Sequence, residues 1–375
     1  MKKIQMVDLQ SQYQRIKPKI DAAIQECLDE AFFIKGSQVV DFQKRLADYL
    51  KINHVITCGN GTDALQLAMM ALKLNPGDEV IVPAFTYIAT VEVIALLGLT
   101  PIIIDVDPNT FNITRQLIEP AITSKTRLIV PVHLFGQCSD MENIMNCATE
   151  NSLLVVEDAA QALGADFVFT DGTIKKAGTM GHIGCTSFFP SKNLGCYGDG
   201  GAAYTDDSDL AIRLNMIANH GQSQKYRHDL IGINSRLDTI QAAILNQKLT
   251  YFDQYNQARQ KAANFYDTHL SEINEIDIPH KNPISSHVYH QYTIKVKNGK
   301  RDVLKDYLTQ HNIPSMIYYP IPLHHQPAYK NLGRRVGDSP VSVQLCEEVL
   351  SLPMHTELDE EQQSYIVETI MNFFS

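Results

Sequence analysis

Three segments carry residue types and spacings that could do chemistry. LLVVED (153–158) closes in Glu157-Asp158 and runs on into Ala159-Ala160-Gln161. CTSFFPSKNLGCYGDGG puts Ser187 at the end of an apolar run and Lys192 in a loop bounded by proline and glycine. Gly59-Asn60-Gly61-Thr62-Asp63-Ala64 follows HVITC (54–58) and opens a helical pattern, so it fits GxGxxG/A. Taken alone, that turn suits a dinucleotide. The dinucleotide site also needs an acid at the end of the second strand, where the chain reads Pro83-Ala84-Phe85-Thr86. Without the acid, what remains is a phosphate site: free N–H groups and a positive helix end at Gly61-Thr62. Strand-end acids often cap helices and loop lysines are usually solvated, so neither Asp158 nor Lys192 is diagnostic singly.

Together with Tyr87, the segments have one economical explanation. A phosphate site (Gly61, Thr62, Ser187), an acid (Asp158), an aromatic for ring stacking (Tyr87) and an amine (Lys192) are what pyridoxal 5'-phosphate requires. The Asp158 carboxylate would keep a pyridine nitrogen protonated, so that the ring can accept carbanion charge. A lysine whose ammonium form is disfavoured by burial or nearby cations becomes a nucleophile, able to form a Schiff base with the cofactor.

Positioning these groups takes an α/β scaffold. The runs 54–58, 79–83, 101–106, 127–132, 153–158, 185–189 and 201–205 are rich in valine and isoleucine and nearly continuous. They predict strands buried on both faces of a mostly parallel sheet. Amphipathic stretches at 62–74, 90–98 and 140–150 lie between them, so helices sandwich the sheet. At the carboxyl ends of such strands Asp158 points where a ligand would sit. From 236 a long helical segment runs to 270, and beyond it lie 290–296, a helix over 301–311, SMIYYP (315–320) and closing helices over 339–350 and 358–373. The reading is a large domain over 1–250 and a smaller α+β C-terminal domain over 251–375.

Composition narrows the partners. The 375 residues carry 32 Lys+Arg against 42 Asp+Glu, a formal charge of -10, which argues against a nucleic-acid backbone binder. Seven scattered cysteines without CxxC or Cys/His ligand spacing disfavour disulfides and a structural zinc, and no metal site is expected. No apolar run reaches membrane-span length and the N-terminus has no apolar signal region, so a cytoplasmic enzyme with no membrane partner is expected.

The chain resembles the DegT/DnrJ/EryC1/StrS family of sugar-nucleotide aminotransferases, fold-type-I enzymes that use pyridoxal phosphate. The resemblance runs from VDLQSQY near residue 7 to LSLPMH at 350–355. It is carried by NGTDAL (60–65), VEDAAQALGA (156–165), SFFPSKNLGCYGDGGA (187–202), NHG (219–221), NSRLDTIQAAIL (234–245) and YYPIPLHHQPAY (318–329). It implies Lys192 as Schiff-base lysine and proton shuttle, Asp158 at the pyridine nitrogen, Gln161 near the ring hydroxyl and Tyr87 on the ring. Gly61, Thr62 and Ser187 would hold the phosphate, with Asn234 reaching it from the neighbouring subunit of a homodimer. Arg236 would meet an anionic sugar or diphosphate, with Ser191, Tyr318, Tyr319 and the loop at Phe33 as further substrate contacts.

The implied reaction is transamination from glutamate to a ketone on a nucleotide-linked sugar, through pyridoxamine 5'-phosphate. Within the family the motifs resemble most those of enzymes acting on UDP-2-acetamido-2-deoxy-3-oxo-glucuronate for surface polysaccharide such as lipopolysaccharide O-antigen. A dTDP-3-oxo- or 4-oxo-6-deoxyhexose aminotransferase is the alternative. A branch that dehydrates deoxysugars has histidine where Lys192 stands here, and a non-catalytic regulator would be expected to lose the lysine or the acid. Two departures fall where sugar contacts are expected. Ala31-Phe32-Phe33-Ile34-Lys35-Gly36 lacks a frequent tyrosine, and Tyr318-Tyr319-Pro320 replaces His-Tyr-Pro. His324 and His325 are expected in an exposed loop.

Overall fold

The computed structural model describes residues 2–329, 332, 334–335 and 338–375. Its centre is a sheet built from β1 (His54–Cys58), β2 (Glu79–Pro83), β3 (Thr100–Ile104), β4 (Thr126–Ile129) and β5 (Leu154–Asp158). Two short strands, β6 (Asp166–Val168) and β7 (Ile174–Lys176), form a separate hairpin before β8 (Ile183–Ser187) and β9 (Gly201–Thr205) complete the expected set. Another hairpin, β10 (Gln222–Gln224) and β11 (Arg227–His228), follows. The sheet order is β1-β9-β8-β5-β4-β2-β3, extended beyond β3 by β14 (Arg334–Arg335). The strands from β8 through β14 run parallel, whereas β9 is antiparallel to both β8 and β1.

The near-continuous apolar runs have a simple cause. Ile81, Ile102, Ile129 and Val155 enter one core while their chain neighbours Val80, Ile103, Leu128 and Val156 enter the other, so both faces need apolar residues. Helices α3 (Gly61–Ala71), α4 (Ala89–Leu96) and α7 (Ser208–Ile217) cover one face. Residues around α5 (Arg115–Ile118) and α6 (Met141–Glu150) cover the other. The N-terminal helices α1 (Leu9–Glu30) and α2 (Ser37–Leu50) pack on the β1 side of the molecule.

The helical segment expected from 236 to 270 is two helices, α8 (Thr239–Leu249) and α9 (Phe252–Leu270), preceded by an extended Asp238. One straight rod could not serve both of its cores. Ala242, Ala243, Ile244 and Leu245 of α8 pack with α1 and α2, whereas Ala262, Ala263, Tyr266 and Leu270 of α9 face a separate cluster. That cluster contains a three-stranded antiparallel sheet of β12 (Ile276–Asp277), β13 (Tyr292–Val296) and β15 (Val349–Leu352), with helices α10 (Arg301–Gln310) and α12 (Glu360–Phe374). The closing helix expected over 339–350 stops early: α11 (Pro340–Glu348) gives way to β15. Val349 enters the large core while Leu350 and Leu352 enter the small one, which is strand periodicity. SMIYYP is not a ladder strand; only Met316 bridges, to Ser351. All seven cysteines are buried and unpaired.

Candidate active site

Register brings the three segments named first to one rim of the sheet. In β5, Asp158 lies beside Cys185 of β8, and β9 returns so that Gly201 pairs with Ser187. The glycine turn starts α3 at the same rim. Its N-cap Asn60 accepts from the Asp63 N–H at 2.8 Å, which leaves Gly61 and Thr62 in the first turn. Glycine at 61 is a steric requirement, because a Cβ there would stand 2.7 Å from the Ser187 Cβ. The proposed phosphate cradle is thus a close approach of two backbones, with the Ser187 hydroxyl at its edge. A residue the sequence reading passed over closes it from behind. Ser235 accepts the Gly59 N–H at 2.9 Å and donates to Asp63 at 2.6 Å. The signal was present in NSRLD, between two residues already singled out.

Asp158 is buried, and both carboxylate oxygens are engaged. Thr90 at the start of α4 donates to Oδ2 at 2.9 Å, and the Ala160 N–H donates to Oδ1 at 3.1 Å. Thr90, fully buried, is a second residue not foreseen; it lies three positions after Tyr87. Behind Asp158 the strand end is anchored by Glu157. That carboxylate accepts from the amides of Gly178 at 2.8 Å, Met180 at 2.6 Å and Gly181. It also meets His133 Nε2 at 2.8 Å. Because the Ser139 N–H donates to His133 Nδ1 at 3.1 Å, Nε2 carries the single proton and the imidazole is neutral. Adjacent acids in one strand point to opposite faces, so Glu157 is structural and Asp158 faces the site.

Lys192 sits half-buried in the Phe188–Cys196 loop, and its amine has no hydrogen-bond partner among the described residues. Burial pushes its ammonium down to about 8, against the upward pull of the Asp158 carboxylate. His290, buried from the other side, is held well below its ordinary range by burial, then by Lys192 and Arg259.

An aromatic wall lines the other side. Tyr87 is exposed, with its ring 6.2 Å from that of Tyr319, which packs at 6.1 Å against Phe85. Gln161 is locked between the two halves of the site: its Oε1 accepts from the Phe135 N–H at 2.8 Å and its Nε2 donates to the Tyr319 hydroxyl at 3.0 Å. Tyr318 is half-buried against the large core, joined to Tyr319 by a cis peptide bond. His324 is not the exposed loop histidine expected; it is buried because the Leu323 N–H is tied to the Ala84 carbonyl at 2.9 Å, while His325 is exposed.

Asn234 is exposed, and Arg236 is half-buried with no ion pair among the described residues. Both flank Ser235, so they stand at the lip of the glycine turn. Phe33 is exposed beside them: its carbonyl accepts from the Thr239 N–H at 2.9 Å, and Ile34 bridges Asp238. Ser191, half-buried, precedes Lys192 in the loop.

The sequence matches the DegT/DnrJ/EryC1/StrS aminotransferase family over residues 14–371. The UDP-2-acetamido-2-deoxy-3-oxo-D-glucuronate aminotransferase of Pseudomonas aeruginosa is 44% identical, over 98% of this chain and 100% of that one. A pleiotropic regulatory protein of Geobacillus stearothermophilus is also 44% identical, over 99% of this chain and 98% of that one. Among solved structures, DesV of S. venezuelae in complex with a ketimine intermediate is similar at a TM-score of 0.95 and 36% identity, covering 100% of this chain and 99% of that one.

Proposed function

We propose, for a chain that belongs to the DegT/DnrJ/EryC1/StrS aminotransferase family, a pyridoxal-phosphate-dependent transamination of the C3 ketone of a nucleotide-linked sugar. The preferred acceptor is UDP-2-acetamido-2-deoxy-3-oxo-glucuronate, glutamate is the amino donor, and the product serves surface polysaccharide synthesis in the cytoplasm. The chemistry of the donor set fits the cofactor: a cradle with no room for a Cβ at Gly61, a carboxylate at a strand end, and an amine without a hydrogen-bond partner among the described residues whose proton is loosened by burial. When bound, pyridoxal phosphate supplies a carbonyl for amine capture and a ring that accepts the charge left when a Cα proton departs.

The chain's own groups divide the remaining work. Gly61, Thr62 and Ser187 hold the phosphate, with Asn234 from a second copy completing the cradle. Asp158, oriented by Thr90, keeps the pyridine nitrogen protonated. Tyr87 stacks on the ring, and Gln161 faces its hydroxyl. Lys192 Nζ would take the proton from the donor Cα and pass it to C4′ of the cofactor, since an amine titrating near neutrality both accepts and gives one. Arg236, at the lip with no ion pair among the described residues, meets the carboxylate or diphosphate of the sugar, with Phe33, Ser191, Tyr318 and Tyr319 as further contacts. The exposed Asn234 and half-buried Arg236 support a homodimer in which they act across the interface. A boundary near residue 250 separates the cofactor-binding part from the part built on the three-stranded sheet.

The observation that carries this function is the unbonded Lys192 amine facing Asp158. The same pair sets the reading apart from a purely regulatory role, which needs neither group. The test incubates the protein with glutamate and a panel of 3-oxo and 4-oxo nucleotide sugars and identifies the aminated product by mass. Amination of the UDP 3-oxo-uronate is expected. A product only from dTDP-deoxyhexoses moves the assignment to that class, and no amination of any sugar ends it.

A further inference from the structure

A second lysine in this molecule is buried more deeply than Lys192. Lys248, in the last turn of α8, is 1% exposed, and no carboxylate pairs with it among the described residues. Its Nζ donates to the Gly195 carbonyl at 2.7 Å and lies 4.5 Å from the centre of the Tyr197 ring. A buried ammonium is tolerated only where donors are used and the local field is favourable. Here the carboxyl end of α8 supplies partial negative charge, and the ring face adds a cation–π contact.

The carbonyl it binds belongs to the loop that carries Lys192. No strand or helix holds residues 189–195. The loop is closed at its base by the Cys196 N–H on the Phe188 carbonyl and by the Lys192 N–H on the Phe189 carbonyl, both at 2.8 Å. It doubles back so tightly that a Cβ on Gly195 would stand 2.4 Å from the Pro190 carbonyl oxygen. Its far side is tied by the Asn193 amide to Asn256 at 2.9 Å and to the Val288 carbonyl at 2.8 Å. On the α8 side, Gln241 holds Tyr197 through the Tyr197 N–H at 2.8 Å, and Lys248 holds Gly195.

We propose that Lys248 is a positioning residue that, through the Gly195 carbonyl, holds the Phe188–Cys196 loop in the conformation that aims Lys192 at Asp158. This rests on the reading of Lys192 as the reacting amine. The same helix is led in by Asn234, Ser235 and Arg236, so α8 would join the phosphate lip to the lysine loop as one rigid body.

The test compares Lys248→Met, which keeps length and loses the donor, with Lys248→Arg, which keeps a donor and the ring contact. Hydrogen exchange is read on the cofactor-free protein. In the Met variant the 188–196 peptide should exchange at least ~10-fold faster, with β8 and β9 peptides unchanged. In the cofactor-loaded protein the same variant should shift the pH midpoint of the cofactor absorbance band and lower kcat of the glutamate half-reaction about tenfold, with KM within about twofold. Arginine should restore all three. Unchanged exchange over 188–196, acceleration spread equally through β8, or no recovery by arginine would each overturn the proposal. Failure of the underlying reading shows separately, as a wild-type protein with no cofactor band, and leaves the exchange result on the clamp to stand.

Discussion

Lys192 and Lys248 occupy unlike surroundings and titrate alike. Burial lowers both ammonium groups to about 8. Lys248 is sealed under Tyr197 with its amine bonded to Gly195, whereas Lys192 is half-buried with its amine unbonded and a carboxylate opposite. A depressed titration therefore does not mark the reactive amine by itself. The free lone pair and the access do. One lysine is available to a ligand, and the other is consumed by the fold.

The largest separation between the two should appear on substitution. Lys192→Ala should lower turnover with glutamate and a keto sugar by at least ~1000-fold, the range of a lost proton-transfer group, while Lys248→Met retains measurable turnover. Steady-state assays of both decide it, and equal losses would break the comparison. Asp158→Asn, which keeps shape and removes the charge that singles out the Lys192 environment, should reduce kcat by about 100-fold or more with an unchanged circular dichroism spectrum.

A third effect concerns stability and has a definite sign. The folded value of Lys192 lies below its ordinary 10.5, so the folded protein binds its proton less well than the unfolded chain does. The penalty is fully present below pH 8 and is relieved as pH rises from 8 through 10.5. Denaturant titrations of cofactor-free Lys192→Met should therefore show a gain at pH 7, up to about 3 kcal/mol, that fades across that window. A pH-independent gain would assign it to packing instead. The smallest effect is expected for Thr90→Val, which removes one donor to Asp158: about tenfold in kcat, with KM little changed.

Most of the large sheet was legible because parallel strands buried on both faces announce themselves as unbroken valine and isoleucine runs. The direction of β9 was not, since GAAYT reads the same either way. The break at Thr250–Tyr251 escaped notice because apolar spacing of three and four continues across it while the face being buried changes. Val349–Leu352 was hidden in a related way: its alternation serves two cores, so Val349 and Leu350 are both apolar although they face apart. At the site, residues with unusual chemistry stood out. Thr90, Ser235 and Lys248 did not, because their roles come from contacts with Asp158, Gly59 and Gly195, far away in sequence.

The seven buried thiols give the molecule a property unrelated to its chemistry. Cys27 lies in α1, Cys58 in β1, Cys147 in α6, Cys185 in β8 and Cys346 in α11, so they sample helices and strands across the structure. Burial pushes the Cys138 thiol up to about 12 and the Cys196 thiol up to about 11, so neither reacts as thiolate while the chain is closed. A thiol reagent thus counts openings, element by element, and the chain carries its own map of where it comes apart first.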